Sequence, residues 1–125
     1  MKLFDTCVWI EIILGGPTGE VFKPLYLDKQ NILVPSLVQF ELRRWALRQY
    51  SEATVDQITL TLRETAVVQT TERIALLAAD IAIAHKLHAL DALIYATALE
   101  HDAQLVTCDA HFKDLPQVDY TPKIK

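Results

Sequence analysis

Short apolar blocks alternate with longer stretches of helical spacing along the whole chain. Lys2 to Phe4 predicts a first strand, and Thr6 to about Leu14 a helix that Gly15 and Gly16 stop. A short second helix is expected over Gly19 to Leu27. "NILVPS" then supplies a buried strand, Ile32 to Val34, closed by Pro35. Ser36 starts a helix to about Gln49, with "SLVQ" matching a capping box in which Gln39 reaches back. A further helix is expected over Glu52 to Thr65, and "AVVQT" reads as a third strand. Glu72 to His101 is helical almost throughout, with a break expected near His88 to Asp91. "AQLVT" and "QVDY" complete the pattern as a fourth strand and a short fifth one.

Strands that alternate with helices imply a mostly parallel sheet covered on both faces, an α/β fold in three layers. Sites in such sheets form beyond the carboxyl ends of the strands. Asp5 ends the first strand and Asp109 lies two residues past the fourth. Chemistry is therefore expected at that edge.

The length of 125 residues fits one domain spanning 1–125, with no repeat, linker or low-complexity tract. An apolar fraction of 51% and a charged fraction of 22% belong to a folded globular chain rather than a disordered one. Net charge is −4, so a polyanionic partner would have to be met by local cations. Cys7 and Cys108 show no metal or redox spacing and fit a reducing compartment. Lys2 and the following apolar run imitate a secretory leader, but Asp5 and Glu11 interrupt it. "IALLAADIAIA" is broken by Asp80 and falls short of the roughly 20 residues of a membrane span. A cytoplasmic protein that does not enter the membrane is expected.

Four acids have both a structural and a chemical reading. Asp5 and Asp91 each precede a helical stretch and read, taken singly, as caps; Asp109 reads as a turn residue. Glu41 is different. At about 100° per residue it falls among Leu37, Val38 and Trp45 and opposite Arg43. A carboxylate there costs desolvation unless it snorkels outward or meets a cation. Several carboxylates in one pocket raise one another's pKa and need a cation to stay ionised together. Oxygen ligation selects a hard ion, Mg²⁺ or Mn²⁺, over Zn²⁺. His85 and His88 share a helical face without the partners of a zinc set, and His111 reads as a surface residue or a phosphate contact.

"LFDTCVWIE", "VPSLVQFELRRW" and "LHALDALIYATALEHDAQLVTCDAHF" resemble the successive motifs of PIN-domain ribonucleases, in particular the short VapC-type toxins. The last block is the most specific. The resemblance implies a 3-2-1-4-5 sheet and an acidic set of Asp5, Glu41, Asp91 and Asp109, with Asp5, Asp91 and Asp109 as direct metal ligands. Glu41 would hold a metal-bound water or a second ion, and Thr6 and Thr107 would support the site. Cys7 departs from the Ser or Asn often found there, and His111 stands where some members carry another acid.

The function expected on that basis is a Mg²⁺- or Mn²⁺-dependent endoribonuclease, the toxin of a toxin–antitoxin pair. RNA would be drawn in by Arg43, Arg44, Arg48, Lys86 and Lys113. A cognate antitoxin would dock in a groove of the early helices, where Trp9, Ile12, Ile13, Leu14, Trp45 and Tyr50 offer more apolar surface than one core stripe holds, unless the second helix covers it. A homodimer would form through the later helices. Two other readings stand beside it. One is a non-catalytic α/β binding domain whose acids are caps. The other is a metal-dependent phosphotransferase or phosphatase, although Asp5-Thr6-Cys7 lacks the D-x-D pair such an enzyme uses.

Overall fold

The first strand lies at the centre of everything that follows. In a computed structural model that describes residues 1–124, β1 (Lys2–Phe4) pairs in parallel with β2 (Ile32–Pro35) on one side and β4 (Gln104–Thr107) on the other. β3 (Ala66–Val68) and β5 (Val118–Tyr120) add the two edges, giving a five-stranded parallel sheet of order β3-β2-β1-β4-β5. The expected 3-2-1-4-5 order is the one observed. Leu3, Phe4, Ile32, Leu33, Val34, Leu105 and Val106 are all buried, which is why the central strands are continuous apolar runs rather than alternating ones.

The helices are α1 (Thr6–Leu14), α2 (Pro17–Tyr26), α3 (Ser36–Leu47), α4 (Glu52–Leu62), α5 (Glu72–His85) and α6 (Ala89–Glu100). Gly15 ends α1 in the left-handed region at φ 71° and donates its N–H to the Glu11 and Ile12 carbonyls. α2 starts two residues earlier than the pattern suggested, because Pro17 is already set for a first helical turn. Gly19 lets α2 close on α1: a Cβ there would collide with the Glu11 carbonyl.

Several boundaries differ from the sequence expectation, each for a local reason. The capping box at "SLVQ" does not form. Pro35 holds the cap position and contributes no side-chain hydrogen bond, so Ser36 is already helical. α4 stops at Leu62, whose carbonyl accepts the Thr65 hydroxyl at 2.6 Å. β3 ends at Val68, since its only neighbour ends at the paired Pro35. The break between the last helices falls at Lys86 to His88: Lys86 closes α5 in the left-handed region at φ 55°, and His88 caps α6. Asp91 therefore sits inside the first turn of α6 and is not its cap.

The expected exposure of Trp9 is also corrected. Trp9 is only 2% exposed. Its ring packs 5.3 Å from Phe4 and edge-on, 5.7 Å from Tyr26 of α2. The second helix covers it. The open apolar surface lies one layer further along, between α3 and α4, where a cavity is lined by Phe40, Leu42, Arg43, Ile58 and Leu62. No helix among the described residues is long and apolar enough to cross a membrane.

Candidate metal centre

The β-ladder does not stop at Phe4. Asp5 donates its N–H to the Val106 carbonyl at 3.0 Å, which extends the β1–β4 pairing by one residue and fixes the Asp5 backbone in the sheet. Its side chain is pinned from both sides. Oδ1 accepts the Thr6 N–H at 2.8 Å and so caps α1, and Oδ2 accepts the Thr107 hydroxyl at 2.8 Å. The cap reading of Asp5 is thus correct for one oxygen and leaves the other committed to the neighbouring strand. The Asp109 N–H donates to the Thr107 oxygen at 3.0 Å, so one hydroxyl joins the ends of β1 and β4.

Glu41 arrives from α3. Val38 and Leu42 beside it are buried, and Leu37, Trp45 and Glu41 itself are half-buried. Its Oε1 accepts the Thr6 hydroxyl at 2.7 Å. Thr6 therefore ties Asp5 to Glu41 through its backbone N–H and its side chain. Thr6 and Thr107, expected as supporting residues, are the two hydroxyls that organise the acids.

Asp91 comes in from the first turn of α6, where the positive end of the helix favours a carboxylate. Asp109 begins the short turn Ala110–Phe112, and its Oδ1 accepts both the N–H of His111 at 2.9 Å and the His111 ring nitrogen Nδ1 at 2.8 Å. Donor atoms of Asp91, Asp109 and His111 all lie within 4.8 Å of one another. Asp5 and Glu41 do not enter that tighter group. They remain electrostatic neighbours of it. Burial pushes the Asp5 carboxyl up to about 6, against the bonds from Thr107 and Thr6, and Asp91 and Asp109 push it the same way. Asp91 is also raised, first by burial, then by Asp109 and Glu41.

Such a set fits a hard divalent cation: carboxylates from three elements converge, two of them resist ionisation as they stand, and a cation would reverse that penalty. Sulfur does not compete. Cys7 lies beside the acids, with Sγ 3.6 Å from Asp5 Oδ2, and accepts the Cys108 N–H at 3.3 Å. Its thiol is pushed up by the Cys108 thiol, by burial and by Asp5, which keeps it protonated and a poor ligand.

Three further neighbours surround the acids. His111 was expected at the surface, and its ring is exposed, yet it is tied to Asp109. His88 caps α6 and sets its ring edge-on to that of His111, 6.4 Å between centroids. Lys123 lines a cleft with Asp109, Ala110 and Tyr120. Nothing in "TPKIK" marks it, because the tail reaches the site only through the pairing of β5.

The PIN domain family model matches residues 2–118. The chain belongs to the PIN domain family. No curated protein matches this PIN domain by sequence. Among solved structures it is similar to a toxin–antitoxin complex from Klebsiella pneumoniae, with 22% identity over 95% of this chain and 96% of that one, and a TM-score of 0.81. It is also similar to VapC20 of Mycobacterium tuberculosis, described as a sarcin–ricin loop cleaving toxin (15% identity, 93% and 95% covered, TM-score 0.78). VapBC2 of Rickettsia felis, bound to a DNA fragment from its promoter, is a third (16% identity, 97% of each chain, TM-score 0.75). At these identities the likeness is one of fold.

Proposed function

We propose that this PIN domain, a single unit spanning 1–125, is a divalent-metal-dependent endoribonuclease and the toxin of a toxin–antitoxin pair. The observation that carries the reading is the convergence of Asp91 and Asp109 at the carboxyl edge of the sheet, with the buried Asp5 as their electrostatic neighbour and Glu41 tied to it through Thr6. A protein whose acids served only helix ends would not bring the Asp91 and Asp109 carboxylates together with His111, where Asp109 raises the Asp91 pKa. A phosphatase of the D-x-D type would need a second aspartate two residues after Asp5, where Cys7 stands.

Asp5, Asp91 and Asp109 would hold Mg²⁺ or Mn²⁺, with Glu41 placed for a bound water or a second ion. When bound, such an ion lowers the pKa of water and polarises a phosphoryl oxygen. The chain's own contribution is positional. Thr107 and Thr6 hold Asp5 and Glu41 in one orientation, so the acids need no rearrangement as substrate arrives. Lys123 beside Asp109 and the exposed Arg44 and Arg48 supply cations for an RNA backbone, which the net charge of −4 otherwise repels. Arg43 is less available, because it bonds Asp56 at 3.3 Å and Thr59 at 3.1 Å.

Two partner surfaces accompany this reading in a cytoplasmic protein. The apolar cavity between α3 and α4, with Phe40 54% exposed, accepts an amphipathic segment of an antitoxin. The outer face of α5, where Leu76 and Ile83 are 63% and 83% exposed, pairs with a second copy of the chain. The toxin–antitoxin complex that shares the fold supports the antitoxin partner. The test of the function is cleavage of a mixed RNA pool by the purified protein with Mg²⁺, with Mn²⁺ and with EDTA. Metal-dependent products that disappear in EDTA are expected. Intact RNA under every condition would reject the nuclease.

A further inference from the structure

We propose that His111 is a nitrogen ligand of the same metal centre, making it a mixed oxygen and nitrogen site that favours Mn²⁺ and later first-row ions over Mg²⁺. The inference rests on the metal reading above and concerns which residues complete it. Asp91, Asp109 and His111 present donor atoms within 4.8 Å of one another. An ion with ligands at roughly 2.0–2.2 Å spans roughly 4–4.4 Å between opposite donors, so a small adjustment closes the set.

The imidazole is not a loose surface group. Its backbone N–H and its Nδ1 both meet the same oxygen of Asp109, at 2.9 and 2.8 Å. The His88 ring stands edge-on to it at 6.4 Å. Two donors each roughly 2.1 Å from one ion and at right angles lie roughly 3 Å apart, so Nδ1 and the Asp109 oxygen are spaced as neighbouring ligands, with the ring proton on Nε2. The opposing carboxylate of Asp91 supplies charge across the gap. Imidazole suits Mn²⁺ and the ions after it better than Mg²⁺, which prefers oxygen and water. The resemblance noted above has a further acid at this position in some members, and here the side chain is an imidazole; the consequence for ion choice follows from donor chemistry alone.

Pulsed EPR of the Mn²⁺-loaded protein tests this without any assay of activity. The wild type should show nitrogen modulation from a directly bonded imidazole, and ¹⁵N-histidine labelling should change it. His111→Asp should abolish the modulation, whereas His88→Ala should keep it. The ratio of Mn²⁺ to Mg²⁺ affinity, read by titration, should fall in His111→Asp by about tenfold, since loss of even an outer partner of a metal ligand costs about that much. The exposed position of the ring makes both variants safe for folding, which circular dichroism checks. Mn²⁺ bound without nitrogen modulation, or modulation that survives in His111→Asp, overturns the proposal and leaves the acidic metal site standing. A wild type that binds no Mn²⁺ overturns both.

Discussion

At the carboxyl edge of the sheet, Asp5 is 4% exposed, and one strand and one helix grip its carboxylate. On the outer face of α3, Phe40 is 54% exposed, and the Arg44 guanidinium lies over its ring at 5.1 Å. Both residues sit against the solvent preference of their type, one a buried charge and the other an open aromatic. The first is surrounded by geometry that fixes it; the second is not. Buried carboxylates that repel one another call for a cation of defined position. An open apolar groove calls for a partner whose own side chains do the shaping. Rigidity marks the region where atoms must be placed to tenths of an ångström, and exposure marks the one where area matters.

Activity gives the largest separation between the two regions. Asp91→Ala and Asp109→Ala should each lower RNA cleavage by roughly 10²–10³ or more, the scale seen when one essential electrostatic group is removed. Phe40→Ala should leave cleavage by the isolated protein within a factor of about two, because a surface truncation moves stability by only about 0.5 kcal/mol. Cys7→Ser should also stay active, since sulfur is a poor ligand for a hard ion. Initial rates on one RNA, with circular dichroism as the fold check, decide it. Full activity in Asp91→Ala would erase the comparison.

Stability in the absence of metal comes next. The Asp5 carboxyl titrates near 6 in the fold against 3.8 unfolded, so the folded protein holds that proton more tightly. Stability should therefore fall as pH rises from about 4 to about 6, and level off above, with a loss of about 3 kcal/mol from this group. The shift at Asp91 has the same sign. Urea unfolding in EDTA at several pH values measures the slope, and Asp5→Asn should flatten it. A divalent ion at about 100 times its Kd should return about 2.7 kcal/mol at neutral pH. A metal-free protein that gains stability as pH rises from 4 to 6 would contradict the burial argument.

Asp5 and Asp109 are legible at the sheet edge because short apolar blocks between helical stretches imply parallel strands, and each acid follows such a block. The strand order and the inclusion of Glu41 and Asp91 follow from the resemblance to PIN-domain ribonucleases, since periodicity places those two acids only on helices. The capping box failed because a motif does not say where the helix begins, and Pro35 took the position Ser36 was expected to hold. Lys123 leaves no pattern because its closeness to the acids is tertiary: an edge strand brings it in. His111 is marked by its place two residues after Asp109, but its bond to that carboxylate depends on the turn and is not readable from spacing. Trp9 was misplaced by a count. α1 is apolar almost all round, which suggests more surface than one stripe buries, and of the two readings this leaves it is cover by α2 that holds, because Gly19 lets α2 come close enough.

That misplacement sets the smallest expected effect and the sharpest test of the second region. Trp9→Ala would report on folding rather than on a partner, since emptying a buried aromatic costs about 3–5 kcal/mol. Phe40 is the residue to change. It lines the cavity with Leu42, Ile58 and Leu62, and its ring carries Arg44 on one face. Phe40→Ala should leave the melting temperature within about 2 °C, given a domain of this size and a surface change of about 0.5 kcal/mol. Co-expression with the open reading frame immediately upstream, followed by co-purification, then reads the partner alone. If an antitoxin segment docks between α3 and α4, Phe40→Ala should weaken its retention while Leu76→Ala, on the outer face of α5, does not. Equal retention by wild type and Phe40→Ala would move the partner off this groove.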